Sequence, residues 1–190
     1  MPTGYTAART RLINDKLGSW IEKSNDENDL QCVNLGAGAD TRAFWLDSLK
    51  KVKSYIEVDT SEVNTFKEKV LAALDVTPIC ERKMISLDFS QESVKDLPTH
   101  GFDSTIPTCW ILEGLIMYLT KESIESLFKE LSDLSPNGSY LILNFLKQDG
   151  DEYVTTLLEE KGWKHEHTLF YGDEEFDYGR FPKGSKTTTL

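Results

Sequence analysis

Cysteine and histidine are both scarce in this sequence, with three of each among 190 residues. The cysteines are Cys32, Cys80 and Cys109. They form no CxxC pair, and their odd number argues against a disulfide framework and fits a reducing, cytoplasmic setting. Cys32 and Cys109 lie in apolar stretches and read as small buried hydrophobes, not as nucleophiles or metal ligands. His100, His165 and His167 have no spacing with Cys or carboxylate residues that would make a zinc site, so no metal is expected. No apolar run approaches the ~18 residues a membrane span needs. The opening MPTGYTAARTRL has no apolar signal core, so neither a membrane nor secretion is expected. Basic charge is also short: 21 Lys and Arg face 32 Asp and Glu, for a net charge of −11. That weighs against a nucleic-acid partner, which rewards clustered cations. A small anion held by one or two local cations stays open.

What is present suffices for one folded domain. Apolar residues make up 39% of the chain and charged residues 28%, enough for a core and too apolar for general disorder. The polar run at 24–29 reads as a loop. Before it, residues 7–23 place Leu12, Ile13, Leu17, Trp20 and Ile21 on one side of a predicted helix. Strands are predicted at 31–35, 54–58, 83–87, 108–112 and 140–145, with further ones at 163–170 and 186–190. Helices are predicted at 62–74, where Val63, Phe66, Val70 and Leu74 recur at helical spacing, and at 121–134 and 152–161. Strands alternating with helices imply an α/β fold with a mostly parallel sheet covered on both faces. In such sheets ligands bind beyond the carboxyl ends of the strands. The residues to watch are therefore Gly36 to Asp40, Asp59, Asp88 with Phe89, and Glu113.

The chemistry of these residues converges on a nucleoside. Gly36, Ala37 and Gly38 follow the first strand, and two glycines at i and i+2 permit a sharp turn and close approach of a ligand. Asp59 ends the next strand and can accept hydrogen bonds from both hydroxyls of a ribose. A dinucleotide fingerprint would need a third glycine where Thr41 stands, and Asp40 places an anion at the loop. An anion repels a pyrophosphate and attracts a sulfonium or an amino group, which tilts the reading from a nicotinamide dinucleotide to S-adenosyl-L-methionine. The plainer alternative is a tight turn with no ligand. Asp88 can accept from an adenine amino group while the Phe89 backbone N–H donates to a ring nitrogen; alternatively Asp88 caps a helix begun at Ser90. Glu113 can orient an ammonium group or be a solvated charge at a strand end. Tyr118 either turns its phenol to the acceptor side of the crevice or packs its ring in the core.

At these residues the chain resembles the leucine carboxyl methyltransferase (protein phosphatase methyltransferase) family, including its bacterial branch. The matching stretches are ARTRLIND from Ala8, VNLGAGADTRAF from Val33, YIEVDTSEV from Tyr55, LDF from Leu87 and CWILEGLIMYL from Cys109. Gly162-Trp163 and Tyr178-Gly179-Arg180 are similar to the bacterial branch. The resemblance implies a class I methyltransferase, Rossmann-like fold. It also implies S-adenosyl-L-methionine as cofactor and S-adenosyl-L-homocysteine as product. It gives Arg9 the cofactor's methionine carboxylate, Gly36 and its neighbours the methionine portion, Asp59 the ribose, Asp88 and Phe89 the adenine, and Glu113 the amino group. The expected reaction is methyl transfer to a carboxylate or hydroxyl oxygen. The expected organisation is a single domain, with an N-terminal helix and loop at 1–29, a cofactor core at 30–145 and a reduced C-terminal part at 146–190.

The chain departs from the family in having little sequence before Ala8 and no long helical insertion after the fifth strand. An acceptor large enough to supply its own cover, a partner chain completing the lid, a fragment, or a module that binds cofactor or a partner without turnover each accommodates that departure. The acceptor is unknown at this stage.

Overall fold

A computed structural model describes residues 4–24, 29–89, 91–145, 151–170 and 173–179. Five strands are present: β1 (Gln31–Leu35), β2 (Ser54–Asp59), β3 (Arg82–Ser86), β4 (Thr108–Leu112) and β5 (Tyr140–Leu143). All pair in parallel, in the order β3-β2-β1-β4-β5. The helices are α1 (Tyr5–Lys23), α2 (Ser61–Ala73), α3 (Lys121–Asp133), α4 (Asp151–Glu160) and the short α5 (Glu174–Asp177).

The central strands read as continuous apolar runs because both of their faces are covered. Every residue of β1 and β4 is buried. Val33, Leu35, Trp110 and Leu112 join one core with Phe128 and Leu131 of α3. Their alternating neighbours Cys32, Cys109 and Ile111 join a second core with Ile13, Leu17 and Ile21 of α1. The three cysteines are free, and burial raises the thiol pKa of Cys32 and Cys109 well above its ordinary value and that of Cys80 to about 11. The Thr60 and Thr120 hydroxyls accept from the N–H groups of Val63 and Ser123, fixing the starts of α2 and α3.

Helix α2 is turned differently from what its apolar spacing implies. Phe66, Val70 and Leu74 are exposed, and the buried face carries Asn64, Lys67 and Leu71. Two polar anchors account for this. The Lys67 ammonium lies 2.8 Å from the fully buried Glu57 carboxylate of β2. Asn64 donates to the Ile85 carbonyl at 3.0 Å and the Ser86 hydroxyl at 3.2 Å. Arg82 adds a second cation on Glu57 at 2.7 Å, so this ion cluster staples β2, α2 and β3.

The predicted strand at 163–170 does not form. Trp163 to Leu169 line a cavity of about 520 Å³ that Tyr140 to Leu143 of β5 also line. A strand exists only through its ladder partner, and the described sheet ends at β5 with none for this segment. The predicted strand at 186–190 and Arg180 of the Tyr-Gly-Arg motif lie outside the described residues. No helix among the described residues is long and apolar enough to cross a membrane.

Candidate active site at the strand switch point

The chain steps outward from β1 to β2 and β3, then returns to add β4 and β5 on the other side. The crevice between the ends of β1 and β4 is therefore the switch point, where no crossover covers the sheet. Strand register brings the candidate residues to one edge, with Leu35 beside Val58, Asp59 beside Ser86 and Leu112 beside Leu143.

The glycine loop leaves β1 with the N–H groups of Gly36 and Ala37 both donating to the Val58 carbonyl, at 2.8 and 3.1 Å. Gly36 has φ +70°, and a Cβ there would meet the Leu115 side chain at 3.2 Å. Gly38 has φ +48°, and a Cβ on it would reach nothing closer than 4.0 Å. The first glycine is thus demanded by conformation and packing. The second is demanded by conformation and leaves its surface bare. Asp59 accepts from the Gly38 N–H at 2.7 Å through one carboxylate oxygen and from the Thr60 N–H at 2.8 Å through the other. Each oxygen keeps a lone pair, so the carboxylate is held rigidly and can still accept from a diol.

Glu113, just past β4, is the hub of the opposite wall. Its Oε1 accepts from Arg9 Nε of α1 at 2.8 Å, and its Oε2 accepts from Arg42 Nη2 at 2.8 Å. Arg42 is 2% exposed, and its other donors are also engaged: Nε to Asn14 Oδ1 of α1 at 2.6 Å, and Nη1 to Asp40. Burial disfavours the Arg42 charge, but Asp40 and Glu113 more than offset it, and its pKa is raised. The guanidinium of Arg9 also lies 5.5 Å from the ring centre of Tyr5.

The structure corrects the argument built on Asp40. Its carboxylate does not stand unpaired at the loop; it binds Arg42 and accepts from Asn34 Nδ2 at 2.9 Å, with 8% of the side chain exposed. The residue reaches the crevice through Arg42. Asp88 lies beside Phe89 at the end of the β3 segment, where it accepts from the Gln91 side chain at 3.2 Å while its own N–H donates to Glu92 at 2.8 Å. That is a local turn, and the next helical element starts only at Val94. Tyr118 lies in the turn Ile116–Tyr118 with 82% of its surface exposed, so its ring is not core.

Three site residues escaped the sequence reading. Arg42 stands in the DTR block but is given no role by the sequence reading. Asn14 sits inside a helical pattern with nothing to mark it. Asn144 accepts from the Gly114 N–H at 2.7 Å. It was hidden because the predicted fifth strand ran to Phe145; the strand ends at Leu143, and Asn144 then falls under the same strand-end rule as Asp59 and Glu113.

The leucine carboxyl methyltransferase profile matches residues 2–132, which contain every element of this crevice except the end of β5. The chain belongs to the leucine carboxyl methyltransferase family. Among its relatives is a Parafrankia sp. (strain EAN1pec) protein named by inference as an S-adenosyl-L-methionine-dependent methyltransferase. It is 37% identical over 154 residues, covering 81% of this chain and 48% of that protein. A Saccharopolyspora erythraea protein named in the same way is 33% identical over 141 residues, covering 74% of this chain and 47% of that one. This family member thus spans about half the length of the relatives it matches. Among solved structures, a DUF574 family protein from Streptomyces avermitilis superposes with a TM-score of 0.57 at 15% identity, covering 92% of this chain and 69% of that one. Precorrin-6y C5,15-methyltransferase from Geobacter metallireducens does so with a TM-score of 0.52 at 12% identity, covering 78% and 72%. These likenesses show the class I methyltransferase fold, and the family's cofactor is S-adenosyl-L-methionine.

Proposed function

We propose that this chain is an S-adenosyl-L-methionine-dependent O-methyltransferase acting on a carboxylate or hydroxyl oxygen. One observation carries the reading: beside the bare glycine loop, at the switch point, stands a cluster of Arg9, Arg42, Asp40 and Glu113, two cations with two anions. A neutral cluster that offers both signs suits a zwitterionic amino-acid end.

The chain's residues divide the work. Arg9 offers the remaining N–H donors of its guanidinium to the methionine carboxylate, and Glu113 stands for the amino group. Asp59 holds the ribose hydroxyls, while Asp88 and the Phe89 N–H read the adenine edge. S-Adenosyl-L-methionine, when bound, supplies a methyl group on a cationic sulfur, which is transferred by in-line displacement. The protein's contribution is alignment and exclusion of water. A carboxylate acceptor is already ionised at neutral pH and needs no general base. A second reading is a module that binds the cofactor or a partner without turnover.

Titration calorimetry with S-adenosyl-L-homocysteine tests the cofactor site: wild type binds, and Asp59→Ala loses at least tenfold in affinity. Binding unchanged in that variant, or a preference for a nicotinamide dinucleotide, overturns the reading. Radiolabelled methyl transfer to an acceptor panel separates enzyme from module. A carboxyl methyl ester releases methanol in mild base, whereas a methyl ether does not.

A further inference from the structure

We propose that Arg42 is the positioning residue for the amino-acid end of the cofactor, acting through Glu113 on Arg9. The inference rests on the cofactor reading above and goes beyond it, because that reading counts Arg42 only as one charge of the cluster and gives it no task of its own. The residue has no free surface with which to meet a ligand: 2% of its side chain is exposed. What it has is a planar fork whose three nitrogens each reach a different segment. Nε binds Asn14 in the middle of α1, Nη1 binds Asp40 in the glycine loop, and Nη2 binds Glu113 after β4. The helix that carries Arg9, the loop that makes room for the ligand and the carboxylate that faces its ammonium group are therefore tied at one guanidinium.

The geometry explains how Arg9 is aimed. Glu113 uses one oxygen for each arginine, Oε2 for Arg42 and Oε1 for Arg9. With Oε2 held by a buried partner, rotation of the carboxylate is restricted and Oε1 is presented to Arg9 Nε. That bond occupies Nε, so an incoming carboxylate meets Arg9 end-on at its terminal Nη groups, a two-pronged grip that a guanidinium can offer and an ammonium cannot. Asp40 is the counter-ion that keeps Arg42 seated: Asn34 donates at 2.9 Å to the same Oδ2 that Arg42 Nη1 binds, and Oδ1 accepts from the Arg42 backbone N–H at 2.6 Å. A lysine at this position would keep the charge but could not satisfy three directions in one plane.

The consequence is a selective defect. Removing the fork disturbs the amino-acid end and leaves the ribose and adenine grips of Asp59 and Asp88 intact. The test compares two ligands by calorimetry on wild type and Arg42→Lys. S-Adenosyl-L-homocysteine carries the amino-acid end; 5′-methylthioadenosine has the same nucleoside and sulfur without it. Arg42→Lys is expected to weaken the first at least tenfold and to change the second less than twofold. Equal losses for both ligands would make Arg42 merely structural and overturn the proposal, as would no loss for either. If Arg42→Lys does not fold, judged by circular dichroism, Asn14→Leu removes one arm of the fork without changing the charge. It is then expected to weaken S-adenosyl-L-homocysteine about threefold or more with 5′-methylthioadenosine unchanged, and the same equal-loss outcome overturns the idea. Wild type that binds neither ligand removes the cofactor reading and this proposal together, whereas wild type that binds both, with an unselective variant, removes this proposal alone.

Discussion

Asp103 shows how much a single exposed carboxylate can be shaped by its neighbours. Its Oδ1 accepts from the Thr105 hydroxyl at 2.6 Å and from the Thr105 N–H at 3.0 Å, and its Oδ2 lies 3.0 Å from the Lys53 ammonium. The Thr105 hydroxyl first, then Lys53 and the Thr105 N–H, hold its pKa at about 2, below the ordinary 3.8. The folded pKa is depressed, so the group's contribution to stability is present above pH 3.8 and is lost as pH falls through about 2. Thr105→Val removes the leading donor and should move the Asp103 titration upward from about 2 toward 3.8, as read by carboxyl-carbon NMR. An unmoved midpoint would mean that Lys53 and the Thr105 N–H set it without the hydroxyl. Arg42 makes the complementary point at this scale. The same residue type that is a surface charge elsewhere is a buried junction here, because three acceptors from three segments meet its donors.

At the level of elements, α2 separates pattern from placement. Its apolar positions Phe66, Val70 and Leu74 are exposed, while Lys67 and Asn64 face the sheet. The orientation is set by polar partners: a buried Glu57 with two cations, and an asparagine that satisfies strand-end acceptors. Phe66→Ser should therefore cost no more than about 0.5 kcal/mol, the usual effect of a surface change, whereas a buried phenylalanine would cost ~3–5 kcal/mol. Glu57→Gln should cost about 3–5 kcal/mol, because it leaves Lys67 buried with no full counter-charge and Arg82 with only the exposed Glu68. Urea denaturation of the two variants decides between them, and the reverse ranking would mean that the helix is rotated. Helix α1 behaves more simply: its apolar stripe of Ile13, Leu17 and Ile21 is the face that packs, which carries Arg9 to the crevice.

The whole molecule is a parallel sheet whose useful chemistry lies at one end. Ligand binding there should stabilise the entire domain by mass action. Saturation with S-adenosyl-L-homocysteine at about a hundred times its dissociation constant should add ~2.7 kcal/mol. For a chain of this size that is a rise of roughly 5–10 °C in melting temperature, measurable by scanning fluorimetry, with no comparable rise from a nicotinamide dinucleotide. The cavity beside β5 is a different feature. It includes Arg9 and Asn144 of the crevice, and its walls also come from α1, β5, α4, the turn after α3, the segment from Trp163 to Leu169 and Phe176.

Sequence alone determined the alternation of strands and helices, the parallel sheet, the glycine loop and the strand-end carboxylates Asp59 and Glu113. These are local signals: buried strands read as apolar runs, and a glycine at positive φ or a carboxylate after a strand is visible in a short window. Tertiary structure alone decided which way α2 faces, that Asp40 turns inward, that residues 163–170 remain unpaired, and that Arg9, Asn14, Arg42 and Glu113 meet. Those outcomes depend on partners far along the chain, 104 residues apart for Arg9 and Glu113 and 71 for Arg42 and Glu113. The direction of a charged side chain is set by where its counter-charge arrives, and only the folded chain brings that counter-charge into reach.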